Sequence, residues 1–305
     1  MKKLTEGRKM FITVLSIFLL YSIVFILFDD YDRSHWKLLE DIDDRNLVGF
    51  SVVVMLVLGY ILHRYAMNMD ARISQEQAEQ QGRIRRELTQ NIAHELKTPA
   101  TSLQGYLETL SAHPDMDAPQ RKLFIERSAE QAKRLTALIQ DISTLQRMDE
   151  APDMHTFEQV DLAQIITNVN KETGLQLTRR HMKLVLRLPA HIPIQGNATL
   201  LYGIFRNLTD NALNYAGEGT IITLTLSESI NFWHFTFRDN GPGVAEHHLE
   251  HLFDRFYRID KGRSRKLGGT GLGLSIVKNA VLLHGGRITA SNDHGLRFDF
   301  TLRKS

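Results

Sequence analysis

Two strongly apolar runs near the start of the sequence carry no charge, Phe11 to Phe28 and Leu47 to Leu62. At ~1.5 Å per helical residue the first is long enough to cross a bilayer core. "FDDYD" follows it in place of the small-residue site that ends a signal peptide. The second run comes directly after a short loop, so the pair predicts a transmembrane hairpin, with spans at about 11–28 and 47–62 and a loop at 29–46. Lys2, Lys3, Arg8 and Lys9 crowd one end and Arg64 and Arg72 the other, whereas the loop is mostly acidic. Basic flanks stay inside, which puts the N-terminus and everything after residue 65 in the cytoplasm.

The pattern then changes to one of helix formers. From Ala66 to Gln90 the chain is polar and free of proline. Ile84, Leu88, Ile92 and Leu96, continued by Pro99, Leu103, Tyr106 and Leu110, mark one apolar face of a long helix. "SAHPDMDAP" interrupts it, and a second helix carries Leu123, Ala132, Leu135, Ile139, Ile142 and Leu145 on one face. Two such helices form an antiparallel hairpin with an uncovered apolar side. A second copy of the chain would bury that side in a four-helix bundle, so a homodimer is expected. His94 falls off the stripe and faces solvent, next to Glu95, and Pro99 weakens the helix one turn further on. Taken alone, an exposed histidine is most often mere surface.

Beyond Pro152 helical and alternating segments mix. "VDLAQIITNVNKETGLQL" and "NATLLYGIFRNLTDNALNYA" read as helices capped by Asp161 and Asn197. "KLVLRL", "TIITLTL", "FWHFTFRD", "RITAS" and "RFDFTL" read as strands, and "LSIVKNAVLLHGG" as a helix stopped by glycine. The spacing is not that of a doubly wound sheet, so an α+β sandwich is expected. The chain has no cysteine, which excludes disulfides, thiolate nucleophiles and cysteine-ligated metals. Its net charge of +2 gives no reason to expect a nucleic-acid partner.

Three stretches of this last region bear chemistry. Asn207 and Asn211 lie four apart on one helix face, and a carboxamide oxygen can ligate Mg²⁺. In "DNGPGV", at the end of a strand, Asp239 can accept a hydrogen bond from an exocyclic amino group, with Gly241 and Gly243 letting the backbone approach a base; a simple turn is the alternative. In "LGGTGLGLSIVK", Gly268, Gly269, Gly271 and Gly273 run into a helix start, where free backbone N–H groups suit phosphates. The loop before it offers Arg258, Arg263, Arg265 and Lys266. "EHHLEH" spaces His247 and His251 as a zinc pair would, but shows no further ligand and reads as surface.

"HELKTP", "NLTDNA", "DNGPGV", "LFDRFYR" and "GGTGLGLSIVK", in this order, resemble the five sequence boxes of two-component sensor histidine kinases. The resemblance implies a dimerisation and phosphotransfer hairpin at 84–150, preceded by a signalling helix at 66–83. It implies an ATP-binding domain at 155–305, of the type shared with gyrase and a heat-shock chaperone. His94 then resembles the phospho-acceptor and Glu95 its general base. Asn211 resembles the Mg²⁺ ligand and Asn207 a supporting amide. Asp239 resembles the adenine reader, and Tyr215 and Arg258 further nucleotide contacts. Gly241, Gly243, Gly269, Gly271 and Gly273 shape the site and its lid. Asn214 departs from the family, where a basic residue often faces the phosphates. Thr98, with Glu95, resembles the family's phosphatase signature, although a threonine there also tolerates the backbone before Pro99. The partners implied are a second copy, membrane lipid and the receiver domain of a response regulator; the cofactors are ATP and Mg²⁺. The place implied is a bacterial plasma membrane crossed more than once.

Overall fold

The computed structural model describes residue 19 and residues 44–150, 156–260 and 269–304. The expected span at 11–28, apart from Leu19, lies outside the described residues, as do most of the loop at 29–46 and Gly268, Arg263, Arg265 and Lys266. The chain divides into two compact units, Met1–Thr89 and Gln90–Ser305.

In the first unit the described chain is helical. Helix α1 runs from Asp44 to Ala112 as one element that includes the second expected span, the signalling stretch and the first hairpin helix. Gly59 and Gly82 meet nothing within 4 Å and pass in the helix at the ordinary cost of a glycine. The window Val52–Met69 has a mean hydropathy of 1.4 and no buried residue. It is the one stretch among the described residues long and apolar enough to cross a membrane.

The second unit opens with the end of α1, which continues through Pro99. Proline supplies no N–H here, and the hydroxyls of Thr98 and Ser102 donate back to the carbonyls of His94 and Thr98, at 3.2 and 3.1 Å. A short turn follows. Asp117 then caps helix α2 (Ala118–Glu150) by accepting from the Gln120 N–H at 2.8 Å. Tyr106 and Phe124 meet edge to face across the hairpin, with centroids 5.8 Å apart. Helix α2 has two apolar faces, not the single stripe expected. Leu138, Leu145 and Met148 are buried in the main core, while Ile125 and Ile139 on the other side stay 54% and 53% exposed.

The remaining elements are β1 (Glu158–Asp161), α3 (Leu162–Arg179), β2 (Lys183–Arg187), β3 (Pro193–Gly196), α4 (Ala198–Tyr215), β4 (Ile221–Glu228), β5 (Phe232–Asp239), α5 (Glu246–Leu249), α6 (Gly273–Leu283), β6 (Ile288–Asn292) and β7 (Leu296–Arg303). Five strands form one sheet in the order β2-β4-β5-β7-β6. The β2–β4 pair is parallel and the other pairs are antiparallel. The ribbon β1–β3 was not expected, because four residues per strand give no readable alternation. Asp161 and Asn197 cap α3 and α4 as their sequence context predicts.

Alternation in β5 and β7 puts every second side chain on one covered face. Phe235 stacks on Phe300 at 5.1 Å, and Phe205 from α4 meets Phe235 edge-on at 5.4 Å. Burying each such ring stabilises by about 1.5–3 kcal/mol before entropy is counted. The same period carries Asp239 into the buried file of Trp233, Phe235 and Phe237, so a carboxylate ends a row of core aromatics.

Candidate functional site

Helix α4 is the spine of the nucleotide-type site. Asn207, Asn211 and Tyr215 recur every fourth residue and so share one side of it. At the C-terminal end, Asp239 is only 5% exposed. Its Oδ1 accepts from the N–H groups of Gly241 at 2.8 Å and Leu296 at 3.2 Å. Its second oxygen accepts from no described residue. Burial pushes the carboxyl up from its ordinary value, against the two backbone donors.

The glycines here are close-approach positions. A Cβ on Gly241 would stand 2.4 Å from the Ala216 carbonyl, at the end of α4. One on Gly295 would stand 2.1 Å from the carbonyl of Asp239. Gly243 has φ +68°, and the Asn292 amide holds that segment by bonding both the N–H and the carbonyl of Val244, at 3.1 and 2.6 Å. Gly295, Leu296 and Asn292 pack on this segment, yet sequence inspection gives no sign of them, because they come from the β6–β7 turn and the strand ends that flank it.

The glycine-rich segment lies about nine residues up α4, roughly 14 Å at 1.5 Å per residue. Asn207 donates to the Gly203 carbonyl at 2.8 Å, and its Oδ1 would be 2.7 Å from a Cβ on Gly273, so Asn207 packs under the start of α6. Gly271 has φ +74°, and its carbonyl accepts from the N–H of Phe256, which itself has φ +63°. Arg258 Nη2 donates to the Gly269 carbonyl at 2.7 Å, while its Nε is a buried donor with no partner among the described residues. Neither the Asn211 nor the Asn214 amide bonds any described residue. A site with one buried carboxylate at one end, and amide oxygens, a helix start and the unpartnered Arg258 Nε–H at the other, fits a purine nucleotide with its phosphates and a Mg²⁺ ion.

On the hairpin, His94 is exposed and its ring bonds no described residue. Thr98, also exposed, lies one turn along the same side. Glu95 is engaged: Arg258 Nη2 donates to its Oε2 at 3.0 Å, and Arg134 approaches the same atom at 4.0 Å. The structure therefore brings Arg258 to Glu95 as well as to the glycine-rich segment. Two further contacts join α2 to the site. Thr270 Oγ1 donates to Asp141 Oδ2 at 2.8 Å, and Arg255 forms a two-point pair with Asp149, both distances 2.8 Å. Burial pushes the Asp141 carboxyl up, opposed by the Thr270 hydrogen bond. None of these partners was singled out from sequence.

The histidine-rich stretch does not form the ligand pair its spacing suggested. Helix α5 covers only Glu246–Leu249, so His247 and His251 do not share it. His248 meets the Tyr257 hydroxyl at 2.7 Å, and His251 pairs with Asp254 at 2.9 Å. Among the described residues no three metal-type side chains gather.

Two family models match the chain. The phospho-acceptor domain "His Kinase A" covers residues 84–151, and the "Histidine kinase-, DNA gyrase B-, and HSP90-like ATPase" covers residues 196–305. The sensor protein kinase WalK of Staphylococcus saprophyticus is 30% identical over 277 residues, 88% of this chain and 44% of that protein. The phosphate regulon sensor protein PhoR of Haemophilus influenzae is 34% identical over 223 residues, 72% of this chain and 52% of that protein. The chain thus spans about half the length of these relatives. The histidine kinase ThkA, solved in complex with the response regulator protein TrrA, shares the fold at a TM-score of 0.56 and 22% identity, over 72% of this chain and 61% of that one. A phospho-acceptor hairpin followed by an ATPase domain of this type, with the relatives it matches, places the chain in the two-component sensor histidine kinase family.

Proposed function

We propose that this chain is a membrane-bound sensor histidine kinase. It phosphorylates His94 from ATP, passes the phosphoryl group to an aspartate of a response regulator's receiver domain, and removes it again. The observation that carries this reading is the coexistence of an exposed His94–Glu95 pair on a helical hairpin with a nucleotide-type site built from Asn211, Asp239 and the glycine-rich segment.

In the chemical step an imidazole nitrogen of His94 attacks the γ-phosphorus. A P–N bond forms as the bond to the β-phosphate bridging oxygen breaks, and ADP leaves with that electron pair. Glu95 accepts the proton from the other ring nitrogen. Asp239 takes the adenine amino group, and Tyr215 flanks the nucleotide. Gly241 and Gly243 let the backbone meet the base, and Gly269, Gly271 and Gly273 present N–H groups to phosphates. Mg²⁺, when bound, neutralises phosphate charge, and Asn211 supplies it an oxygen with Asn207 beside it. Transfer then moves the phosphoryl group from nitrogen to the regulator carboxylate. In the reverse role the Thr98 hydroxyl orients the attacking water.

Several features support the setting. Val52–Met69 is a candidate membrane span, and the uncharged sequence run at 11–28 is the second span of the proposed membrane hairpin. The exposed Ile125 and Ile139, fourteen residues apart and so on one side of α2, leave it an apolar face for a second copy, giving a homodimeric four-helix bundle. ThkA is a histidine kinase captured with a response regulator, the partner class proposed here. His94→Gln should abolish acid-labile labelling from γ-labelled ATP while leaving nucleotide affinity unchanged, since acceptor and nucleotide sites use different residues. Normal labelling of that variant overturns the assignment.

A further inference from the structure

Arg238 and Asp239 are neighbours on β5, and strand alternation sends them to opposite faces of the sheet. Leu296 and Arg297 on β7 divide in the same way. Behind the buried Asp239 carboxylate, on the open face, two arginines therefore stand side by side, because the β5–β7 register sets Arg238 directly opposite Arg297. Like charges so placed are unfavourable by themselves. One carboxylate offsets them: Asp293 Oδ2 accepts from Arg238 Nη1 at 3.1 Å and from Arg297 Nη1 at 3.3 Å. Asp299 steadies Arg297 from the other side, its Oδ1 accepting from Nη2 at 2.9 Å. The arginines, Arg238 foremost, hold the Asp293 carboxyl below its ordinary value.

Asp293 belongs to the β6–β7 turn, and the backbone of that turn is strained. His294 has φ +50° and Gly295 φ +137°. The Asp293 N–H closes the turn by donating to the Gly295 carbonyl at 2.9 Å. Such conformations persist where the surroundings over-determine them. Here the surroundings are the two arginines. The far side of the turn seats Gly295 against the Asp239 carbonyl and delivers the Leu296 N–H to Asp239 Oδ1. Support applied on the open face thus reaches the carboxylate on the covered face.

We propose that Asp293 is a positioning residue for base recognition: shared between Arg238 and Arg297, it holds the β6–β7 turn so that the Leu296 N–H fixes Asp239 Oδ1 and the second oxygen keeps its aim at the adenine amino group. This rests on the nucleotide reading given above. Asp293 reads no base itself; it acts through the turn. Its signature is a loss of preference between bases, because Asn211 and the glycine-rich segment at the phosphate end lie outside the network.

The test uses the full chain in lipid nanodiscs. Affinities for ADP and for inosine diphosphate are measured by calorimetric titration, and their ratio gives the base preference independently of any phosphorylation. Asp293→Ala should reduce that preference roughly two- to fivefold, the scale of a half-exposed ion-pair network, through weaker ADP binding. Inosine diphosphate affinity should hold within about 1.5-fold, and Asp293→Asn, which keeps an oxygen for an arginine donor, should restore most of the preference. In a background carrying Arg238→Ala and Arg297→Ala together, Asp293→Ala should have no further effect, since its partners are already gone. An unchanged preference in Asp293→Ala, or a fall of equal size in both backgrounds, overturns the proposal. A parallel loss of both affinities with the preference kept is general damage to the fold and overturns it too. A parent protein that binds ADP no more tightly than inosine diphosphate overturns the adenine reading of Asp239 instead, a result distinct from each of these.

Discussion

Asp239→Asn isolates recognition from folding. In the parent protein Oδ1 accepts two backbone N–H groups, from Gly241 and Leu296, and the second oxygen accepts from no described residue, which on the reading proposed above leaves it for the adenine amino group. An asparagine can keep its carbonyl on the two N–H groups and turn its NH₂ towards the ligand. It also removes the burial cost that pushes the aspartate carboxyl up, so the fold should lose little. What changes is the sign of the remaining contact. A charged acceptor facing the adenine amino group becomes a donor facing a donor. A hydrogen bond to a charged group stabilises by about 1.5–3 kcal/mol, which corresponds to roughly 10- to 150-fold in affinity. Calorimetric titration with a non-hydrolysable ATP analogue should show that loss, with thermal unfolding near that of the parent. The inosine nucleotide carries an acceptor where adenine carries its amino group, so the variant should prefer it over ATP. An ATP affinity within threefold of the parent, or an unchanged preference for adenine over hypoxanthine, refutes the reasoning.

Other outcomes follow from single contacts. Gly286→Ala would place a Cβ 1.7 Å from the Thr301 carbonyl, so β7 must shift; a loss of about 2–3 kcal/mol is expected, read as a lowered Tm. Asp161→Ala removes the cap of α3 and should cost about 1 kcal/mol at neutral pH. The Ile192 N–H, with the His191 and Ala163 contacts, holds the Asp161 carboxyl below its ordinary value, so this stabilisation is present above the unfolded-chain pKa near ~3.9 and fades as pH falls through the lower folded value. Urea titrations of parent and variant should therefore converge in strong acid. Thr98→Ala should leave labelling of His94 intact and slow dephosphorylation of the regulator; a rate equal to the parent's removes the phosphatase role.

The local features were legible in sequence because their causes are local. Asp161 and Asn197 cap helices through N–H groups two or three residues on, and strand alternation in β5 needs no partner to be visible. The exposure of His94 follows from helical phase alone, and the order of the motifs pointed to the family. Pairing between distant residues was not legible. The Leu296 N–H meets Asp239 across 57 positions, Thr270 meets Asp141 across 129, and Arg258 meets Glu95 across 163. Periodicity also marked α2 as apolar without showing that Leu138, Leu145 and Met148 turn to the ATP-binding core while Ile125 and Ile139 stay open. A sequence pattern records that a side chain must leave water; which surface receives it, and which charge stands opposite, is decided only when the sheet closes and the helices pack on it.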